Sequence, residues 1–323
     1  MEKGIVFSII IPHHNIPELL GRCLRSIPER DDIQVIVVDD NSTDAETYIE
    51  RVPELSRKGV EFVRTKEGKG AGYARNIGLE RVRGEWLLFA DADDFFVENV
   101  GEILDRYKNS EADLIAFKMR TVYSDNITKA AHRSGYINKI IDQFLADGDE
   151  APVRALLEVV WCKMMRMELV RKHGIRFDEV PFSNDYHFSA HVGCEAKRVK
   201  VSAETLYVVT RRSDSLTDHF AKKPGELEKR AEVYFRVQKY LRSQDLQLKH
   251  WPFAFFYYRM FRYDRALYRR YLRLADEIYP SKWEAVKDTL SRIQHSRISP
   301  LGRCWISLRL LLYSLPHMWG MVR

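Results

Sequence analysis

Three aspartates directly follow an apolar segment in the N-terminal half of the chain. Trp86–Ala90 has the length and composition of a buried strand, and Asp91, Asp93 and Asp94 come next. Mg²⁺ and Mn²⁺ prefer carboxylate oxygens and usually bind through one or two of them together with phosphate oxygens. Asp91 and Asp93 therefore predict a divalent metal site that would neutralise charge on a diphosphate leaving group. The alternative is a solvated acidic turn that caps the next helix.

Two earlier apolar segments, 5–11 and 33–38, also run into polar residues. These are Pro12, His14 and Asn15 after the first segment, and Asp39 and Asp40 after the second. The alternation of strand and helix patterns predicts a mainly parallel α/β sheet flanked by helices, in which ligands bind at the carboxyl ends of the strands. The two aspartates could accept hydrogen bonds from a base and from ribose hydroxyls, or cap the helix that follows.

The segment 66–84, KEGKGAGYARNIGLERVRG, is rich in glycine and leads into a predicted helix. Its backbone N–H groups could approach phosphates, with Lys69 or Arg75 adding positive charge. No Lys-Ser/Thr pair follows the second glycine, which excludes a Walker-type loop. No GxGxxG follows the first strand, so the dinucleotide-binding fingerprint is absent as well.

Charge is unevenly distributed over the 323 residues. Residues 221–323 contain 21 Lys and Arg against 9 Asp and Glu, a formal charge of +12, which leaves −6 for residues 1–220. We therefore predict a catalytic domain at 1–222 and a mostly helical, basic and aromatic region at 223–323. The four cysteines form no CxxC pair and no zinc-binding spacing, which indicates reduced thiols in the cytoplasm. Neither a signal peptide nor an apolar run of about 18 residues is visible.

Further elements are predicted in the second part of the catalytic region. Apolar patterns favour strands at 113–124 and 199–212 and a helix at 155–174, whereas 125–150 is polar and irregular. Asp185 stands at the start of another predicted helix. This position is typical of a helix cap.

Four motifs, taken together, resemble the family 2 glycosyltransferases. They are FSIIIPHHN, VIVVDDNSTD, GAGYARNIGLERVRGEWLLFADADD and FSNDYHFSAHVG, and the resemblance covers residues 5–220. It implies a GT-A fold and an inverting, nucleotide-sugar-dependent reaction. The family usually has an aromatic residue at the position of His14, and more often has a glutamate at the position of Asn184.

The resemblance also implies roles for individual residues. Pro12, His14 and Asp40 would hold the nucleotide base, with Asn15 and Asp39 beside them. Asp91 would contact the ribose or the metal, Ala92 would bind the donor beside it, and Asp93 would bind the metal. Asp94 would support this turn, and Asp185 would be the general base. In the segment 211–220, Arg211, Ser215 or His219 could reach the diphosphate, and His219 is either a third metal ligand or a surface histidine.

The C-terminal region contains two stretches, 251–274 and 299–323, in which aromatic and apolar residues are mixed with arginines. Such a composition fits the surface of an anionic membrane, but also a helical subdomain that packs its aromatics on the catalytic body, or a dimer interface. The chain has no recognised nucleic-acid motif and its body is acidic, so we expect no nucleic-acid partner. The predicted location is the cytoplasm, with peripheral contact to the inner face of the cell membrane if the first alternative holds.

Together these observations predict a metal-dependent inverting hexosyltransferase. Its donor would be a nucleotide-diphospho-sugar, with UDP as the expected nucleotide, and its acceptor a hydroxyl of a glycan or lipid-linked sugar in cell-surface polysaccharide synthesis. One alternative is a catalytically silent GT-A scaffold that binds a partner or membrane through its basic tail. Another is a nucleotidyltransferase, which would release pyrophosphate.

Overall fold

The computed structural model describes residues 4–131, 134–211, 225–244, 246, 248, 253–294 and 299–318. The chain divides into two compact units, Met1–Asp218 (unit 1) and His219–Arg323 (unit 2). The boundary predicted at residue 222 lies outside the described residues.

The described part of unit 1 is built on one eight-stranded sheet. In chain order its strands are β1 (Phe7–His13), β2 (Ile33–Asp40), β3 (Val60–Thr65), β4 (Trp86–Phe89), β5 (Phe95–Phe96), β6 (Leu114–Tyr123), β7 (Lys163–Arg166) and β8 (Val199–Arg211). Across the sheet the order is β3-β2-β1-β4-β7-β6-β8-β5. Strands β1 to β4 pair in parallel, as do β6 and β8, whereas β7 and β5 run antiparallel to their neighbours. The sheet is thus mixed, and it confirms the α/β class.

Helices flank this sheet and make up unit 2. In unit 1 they are α1 (Pro17–Arg25), α2 (Tyr48–Arg51), α3 (Ala71–Leu79), α4 (Val100–Tyr107), α5 (Gly135–Asp147), α6 (Glu150–Leu156), α7 (Met167–Lys172) and α8 (Tyr186–Glu195). In unit 2 they are α9 (Glu226–Ser243), α10 (Ala254–Tyr263), α11 (Arg265–Arg273), α12 (Lys282–Gln294) and α13 (Pro300–Met318). Helix α1 begins at Pro17, where the missing N–H costs no helical hydrogen bond.

The central strands explain why three polar segments meet at one edge of the sheet. Every residue of β1 and β2 is buried, as expected for parallel strands that are covered on both faces. Strand β1 lies between β2 and β4, and its last residue, His13, is in register with Asp39. The segments that follow β1, β2 and β4 therefore leave the sheet side by side.

Two predictions of secondary structure are wrong. The stretch 125–150 contains helix α5, whose Ile137, Ile140 and Ile141 are buried at helical spacing. The helix predicted at 155–174 is instead the end of α6, strand β7 and helix α7. Strand β7 pairs with β4 and β6, and a short apolar run cannot be assigned to strand or helix from periodicity alone.

Unit 2 buries a cluster of aromatic residues that pack against one another. The large buried side chains of 253–279 include Phe253, Phe256, Tyr257, Phe261, Tyr268, Tyr271 and Tyr279. Several of these rings pack edge-on or tilted against one another, for example Phe253 against Tyr257 at a centroid distance of 5.0 Å. The aromatics of the first basic stretch thus form a helical subdomain core rather than a membrane-facing surface. Among the described helices, none combines the length and apolar character needed to cross a membrane.

Candidate active site

A cleft of about 330 Å³ lies where β1 and β2 end. It is lined by Pro12, His13, His14, Asp40, Gly68, Gly70 and Ala71. Its volume is at the small end of the range for ligand sites, roughly 300–1,000 Å³, and matches one part of a larger ligand such as a nucleobase. Three of the residues predicted to hold the base, Pro12, His14 and Asp40, thus line one cleft.

The carboxylate of Asp40 is bound by the glycine-rich segment. Its Oδ2 accepts a hydrogen bond from the N–H of Gly70 at 2.6 Å, and its Oδ1 accepts one from the N–H of Lys69 at 3.2 Å. Gly70 has φ +94°, a conformation that favours glycine. These N–H groups, which the sequence suggested for phosphates, hold Asp40 instead. The Lys69 ammonium lies 4.8 Å from the centre of the Tyr73 ring and is exposed.

Asp39 is fully buried and has a supporting contact on each side. Its Oδ2 lies 2.9 Å from Nδ1 of His13, and its Oδ1 accepts the N–H of Ser42 at 2.9 Å. Since Nε2 of His13 accepts the N–H of Ile16, Nδ1 carries the proton and donates to Asp39. Burial alone would raise the pKa of Asp39, but the bonds from His13 and Ser42 outweigh it and lower that pKa. Asp39 therefore positions the loops of the cleft. Its buried carboxylate is not accessible to a ligand in the cleft.

His14 is exposed at the rim of the cleft and is held by two hydrogen bonds. Its Nδ1 donates to the carbonyl oxygen of Asp40 at 2.9 Å, and its Nε2 accepts from Nδ2 of Asn15 at 3.0 Å. Asn15 has φ +55°, and its N–H donates to the hydroxyl of Ser42 at 2.8 Å. Asn15 thus joins the loop after β1 to the loop after β2 and fixes the imidazole.

Asp91 is the meeting point of three distant parts of the chain. Its Oδ1 accepts from Nη2 of Arg75 at 2.6 Å and its Oδ2 from Nε1 of Trp161 at 3.1 Å. Its backbone N–H donates to the hydroxyl of Tyr207 at 2.8 Å. The side chain is 32% exposed, so a ligand can still reach its remaining lone pairs.

The rest of the DxD turn is anchored to β8 and α1. The carbonyl oxygen of Asp93 accepts hydrogen bonds from Arg22 and from Oγ1 of Thr210. Asp94 is buried, and its Oδ1 accepts the N–H of Thr210 at 2.6 Å, while Ala92 is buried between the aspartates. Asp94 therefore supports the turn, as the resemblance implied, and Asp91 and Asp93 are its partly exposed carboxylates.

The carboxylates of Asp91 and Asp93 fit a divalent cation whose other ligands are phosphate oxygens. Within the described residues, no group of three His, Cys, Asp or Glu side chains is arranged to hold a metal ion. Mg²⁺, however, is usually bound through only one or two carboxylates together with phosphates. Asp91 and Asp93 supply that number of hard oxygen ligands at an accessible turn. His219 and Ser215 lie outside the described residues, and Arg211 is the last residue of β8.

Arg75 joins the DxD turn to the segment before α8. Its side chain is 5% exposed, and Nη1 donates to Oδ1 of Asn184 at 2.7 Å while Nη2 donates to Asp91. Its guanidinium also lies 5.3 Å from the centre of the Phe177 ring. Arg75 was predicted to add charge near phosphates. In the structure its guanidinium instead binds the side chains of Asp91 and Asn184. A neutral amide at 184 suits an arginine whose charge is already paired with Asp91.

Asp185 occupies the N-cap position of α8 but does not cap it. The side chain makes no capping hydrogen bond, and the residue is half-buried. Burial raises the pKa of Asp185, the charge of Arg75 opposes this rise, and the charge of Asp91 adds to it. Asp185 is therefore not a helix cap. It is a carboxylate with a raised pKa that is influenced by the charge of Asp91 in the DxD turn.

Sequence reasoning missed two side chains of the site. Trp161 binds Asp91 and stacks on Tyr207 at a centroid distance of 5.9 Å. Lys163 is buried in β7, and its Nζ donates to the carbonyl of Leu157 at 2.6 Å and to Oγ of Ser189 at 3.2 Å. Burial lowers the pKa of Lys163 to about 8. A lone lysine inside the apolar run VVWCKMM was the available signal, because such a charge must find buried partners.

Gly72 permits the close approach of α3 to the segment before Asp185. A Cβ at this position would lie 2.1 Å from the carbonyl oxygen of Asp178. Gly72→Ala is therefore expected to displace that segment, lower kcat and cost about 1–3 kcal/mol of unfolding free energy. Gly101→Ala is the matched control, because its Cβ would have no neighbour nearer than 3.7 Å. Urea unfolding and kcat measurements that gave the same result for both variants would contradict this packing argument.

The family follows from the sequence itself once this geometry is known. The sequence model of Glycosyl transferase family 2 matches residues 8–174, just over half of the chain. The chain belongs to glycosyl transferase family 2. The matched residues of this family 2 protein include the cleft at the ends of β1 and β2, the glycine-rich segment, the DxD turn and Lys163, whereas Asp185 follows them.

Two curated bacterial proteins are similar to this family 2 protein. It is 26% identical over 222 residues to the uncharacterized glycosyltransferase EpsJ of Bacillus subtilis, which is 65% of this chain and 62% of EpsJ. It is 26% identical over 223 residues to the poly(ribitol-phosphate) beta-N-acetylglucosaminyltransferase TarS of Staphylococcus aureus, which is 64% of this chain. The matched region spans only 36% of TarS, so most of that relative has no counterpart in the match.

Solved structures show the same fold. The structure of S. aureus TarS 1–349 in complex with UDP-GlcNAc has a TM-score of 0.65 at 18% identity, over 98% of this chain and 92% of that one. The mannosyltransferase PcManGT of Pyrobaculum calidifontis, in complex with GDP-Man and Mn²⁺, has a TM-score of 0.52 at 16% identity, over 97% and 87%. These similarities confirm the predicted GT-A fold.

Proposed function

We propose that this family 2 protein is an inverting glycosyltransferase that uses Asp185 as its general base. The observation that carries the proposal is the bridge through Arg75, which joins Asp91 of the DxD turn to Asn184, the neighbour of Asp185. A donor held at the turn and a hydroxyl activated by Asp185 would therefore be positioned by one buried side chain. The raised pKa and missing cap bond of Asp185 support a reactive role.

In the proposed reaction, different residues bind the donor and accept the proton. His14 and Asp40 line the cleft for the nucleotide base, and Asp91 and Asp93 would hold Mn²⁺ or Mg²⁺. That cation, when bound, supplies positive charge to the diphosphate leaving group. Asp185 takes the proton from the acceptor hydroxyl as its oxygen attacks the anomeric carbon opposite the leaving group. One displacement of this kind inverts the configuration of the sugar.

We assign a UDP-sugar as donor and a hydroxyl of a cell-surface glycan or lipid-linked glycan as acceptor. The TarS structure with UDP-GlcNAc supports the nucleotide, although PcManGT binds GDP-Man. TarS, by its name, acts on poly(ribitol-phosphate), and another relative is a teichoic acid poly(glycerol phosphate) polymerase. From the cysteine pattern of the sequence we also propose a cytoplasmic location, at the inner face of the membrane when the acceptor is lipid-linked.

A thermal-shift panel tests donor class and metal use. UDP, GDP, CDP and dTDP are each added with and without Mn²⁺, and UDP with Mn²⁺ is expected to raise Tm most. A ligand at about 100 times its Kd stabilises the folded state by roughly 2.7 kcal/mol. Asp93→Asn should lose the Mn²⁺-dependent part of the shift, because it removes a predicted metal ligand. Asp31→Asn, which changes an exposed aspartate paired with Lys58, should keep it.

The products then separate glycosyl transfer from its rivals. With a UDP-sugar and an acceptor glycan, release of UDP supports the proposal, whereas release of pyrophosphate would indicate a nucleotidyltransferase. Failure of all four nucleotides to change Tm, with or without Mn²⁺, would contradict the proposal and favour a silent scaffold.

A further inference from the structure

Helix α13 has a continuous apolar stripe that is exposed to solvent. The stripe consists of Leu301, Trp305, Leu308, Leu312 and Leu315, with exposed fractions of 85%, 64%, 55%, 62% and 41%. Their spacing alternates between four and three residues, which places all five on one face of a helix. Scattered exposed apolar residues are ordinary, but an ordered row of five large ones indicates an interaction surface.

The opposite face of α13 attaches the helix to unit 2. Leu310 and Ser314 are fully buried, and the hydroxyls of Ser314 and Tyr268 are hydrogen-bonded at 2.7 Å. At 100° per residue these two residues lie roughly 180° from the centre of the stripe. The helix is therefore fixed by one face, against α11 and α12, and offers the other outward.

The charged residue at the edge of the stripe is positive. Helix α13 contains no acidic residue, and at 100° per residue its Arg303 lies on the face opposite the stripe, where it donates to the carbonyl oxygen of Gln294. Helix α11, against which α13 packs, has four arginines and no acidic residue, and the two acidic residues of α12, Glu284 and Asp288, are bound to Lys287 and Tyr279. The guanidinium of Arg309 lies 5.3 Å from the centre of the Trp305 ring, at the edge of the stripe. An apolar face bordered by tryptophan and arginine has the composition of a helix that lies in the headgroup region of a membrane.

Charge decides between the two occupants that such a stripe could have. The 4-3 spacing also suits a helix pair between two copies of the chain, but paired helices normally place opposite charges beside the seam. Here a second copy of α13 could offer Arg309 only arginines and uncharged residues. An anionic lipid surface instead complements both the stripe and Arg309, because an arginine near such a surface contributes attraction.

We infer that the α13 stripe docks on an anionic membrane surface, with α13 parallel to the plane of the bilayer. Helix α13 is 19 residues long and does not have the apolar character of a spanning segment, so it lies on the membrane rather than across it. This inference does not depend on the transfer reaction, since the stripe belongs to unit 2 and the DxD turn and Asp185 to unit 1.

Vesicle sedimentation with the full-length protein tests this inference. The vesicles contain either phosphatidylcholine alone or phosphatidylcholine with about a third phosphatidylglycerol, and no glycolipid acceptor. Wild type should bind the anionic vesicles at least about tenfold more tightly than the neutral ones, and more weakly at high salt. The triple variant Trp305→Ser, Leu308→Ser, Leu312→Ser should bind anionic vesicles about tenfold or more weakly than wild type. It removes most of the apolar area that the stripe would insert into the membrane.

A matched control changes three exposed apolar residues of unit 1. Ile49→Ser, Ile127→Ser, Leu145→Ser removes comparable side chains, exposed by 55%, 49% and 47%, and should bind vesicles as wild type does. Asp185→Asn should also bind normally, so failure of the transferase proposal would not affect this result. Equal loss in both triple variants, or equal binding to both vesicle types, would overturn the inference. The inference would also be overturned if light scattering showed a wild-type dimer and a monomeric α13 triple variant, and neither protein bound vesicles.

Discussion

Asp185→Asn is expected to lower kcat by about 10²–10⁴-fold while leaving nucleotide binding nearly unchanged. The amide has almost the shape of the carboxylate but cannot accept the proton of the acceptor hydroxyl. Steady-state release of the nucleoside diphosphate gives kcat, and the Tm shift with nucleotide and Mn²⁺ reports donor binding separately. A variant that kept at least a tenth of wild-type kcat would contradict the role of general base.

The same substitution should not destabilise the fold. Because the pKa of Asp185 is raised in the folded state, folding favours its protonated form, and the stability that this adds at low pH is lost as pH rises through the folded-state pKa. At pH values above the folded-state pKa, the ionised side chain therefore destabilises the fold, and Asp185→Asn should have an equal or higher Tm there. Stability that is given up for a reactive group is common at active sites.

A true N-cap aspartate provides the matched control for this prediction. Asp149 begins α6 and accepts the N–H of Ala151 at 3.1 Å, whereas Asp185 makes no such bond. Asp149→Ala should lose about 0.5–2 kcal/mol of unfolding free energy and keep its activity. Asp185→Ala should lose activity without a cap-sized loss of stability. If the two variants lost stability equally, Asp185 would be a structural residue.

The carboxyl ends of β1, β2 and β4 could be predicted from sequence because local signals define them. Each strand is a short apolar run that stops at polar residues, and parallel neighbours end at the same edge. The structure adds the register of the strands, in which His13 pairs with Asp39. Four motifs in the right order were enough for the family resemblance.

The connections among the site residues could not be read in this way, because they join residues far apart in sequence. Arg75 and Asn184 are separated by 109 positions, and Trp161 and Asp91 by 70. Nothing local distinguishes an arginine that binds phosphate from one that binds a carboxylate and an amide. Strand β7 was missed for a related reason, since its antiparallel pairing between β4 and β6 overrides an ambiguous local pattern.

Arg75→Met should have the second largest effect, because Arg75 is the buried link between Asp91 of the DxD turn and Asn184, the neighbour of the proposed base. The variant leaves Asp91 and Asn184 without their shared donor, at an expected cost of about 1–3 kcal/mol in unfolding free energy. The cost is moderated because Asp91 is partly exposed and water can reach it. Arg81→Met is the control, since Arg81 pairs with Glu61 at the surface and should cost less than about 1 kcal/mol.

The pH dependence of kcat separates a positioning role for Arg75 from a merely structural one. The charge of Arg75 lowers the pKa of Asp185, so its removal should raise that pKa further and move the acidic limb of the profile to higher pH. Arg75→Lys should restore much of the electrostatic effect but not the fork to Asn184, because lysine cannot bind two side chains in this planar geometry. The acidic limb of the Arg75→Lys profile should therefore lie at the wild-type pH, but its maximal kcat should be lower than that of wild type. An unshifted limb in Arg75→Met would mean that the arginine holds the two segments together without tuning the base.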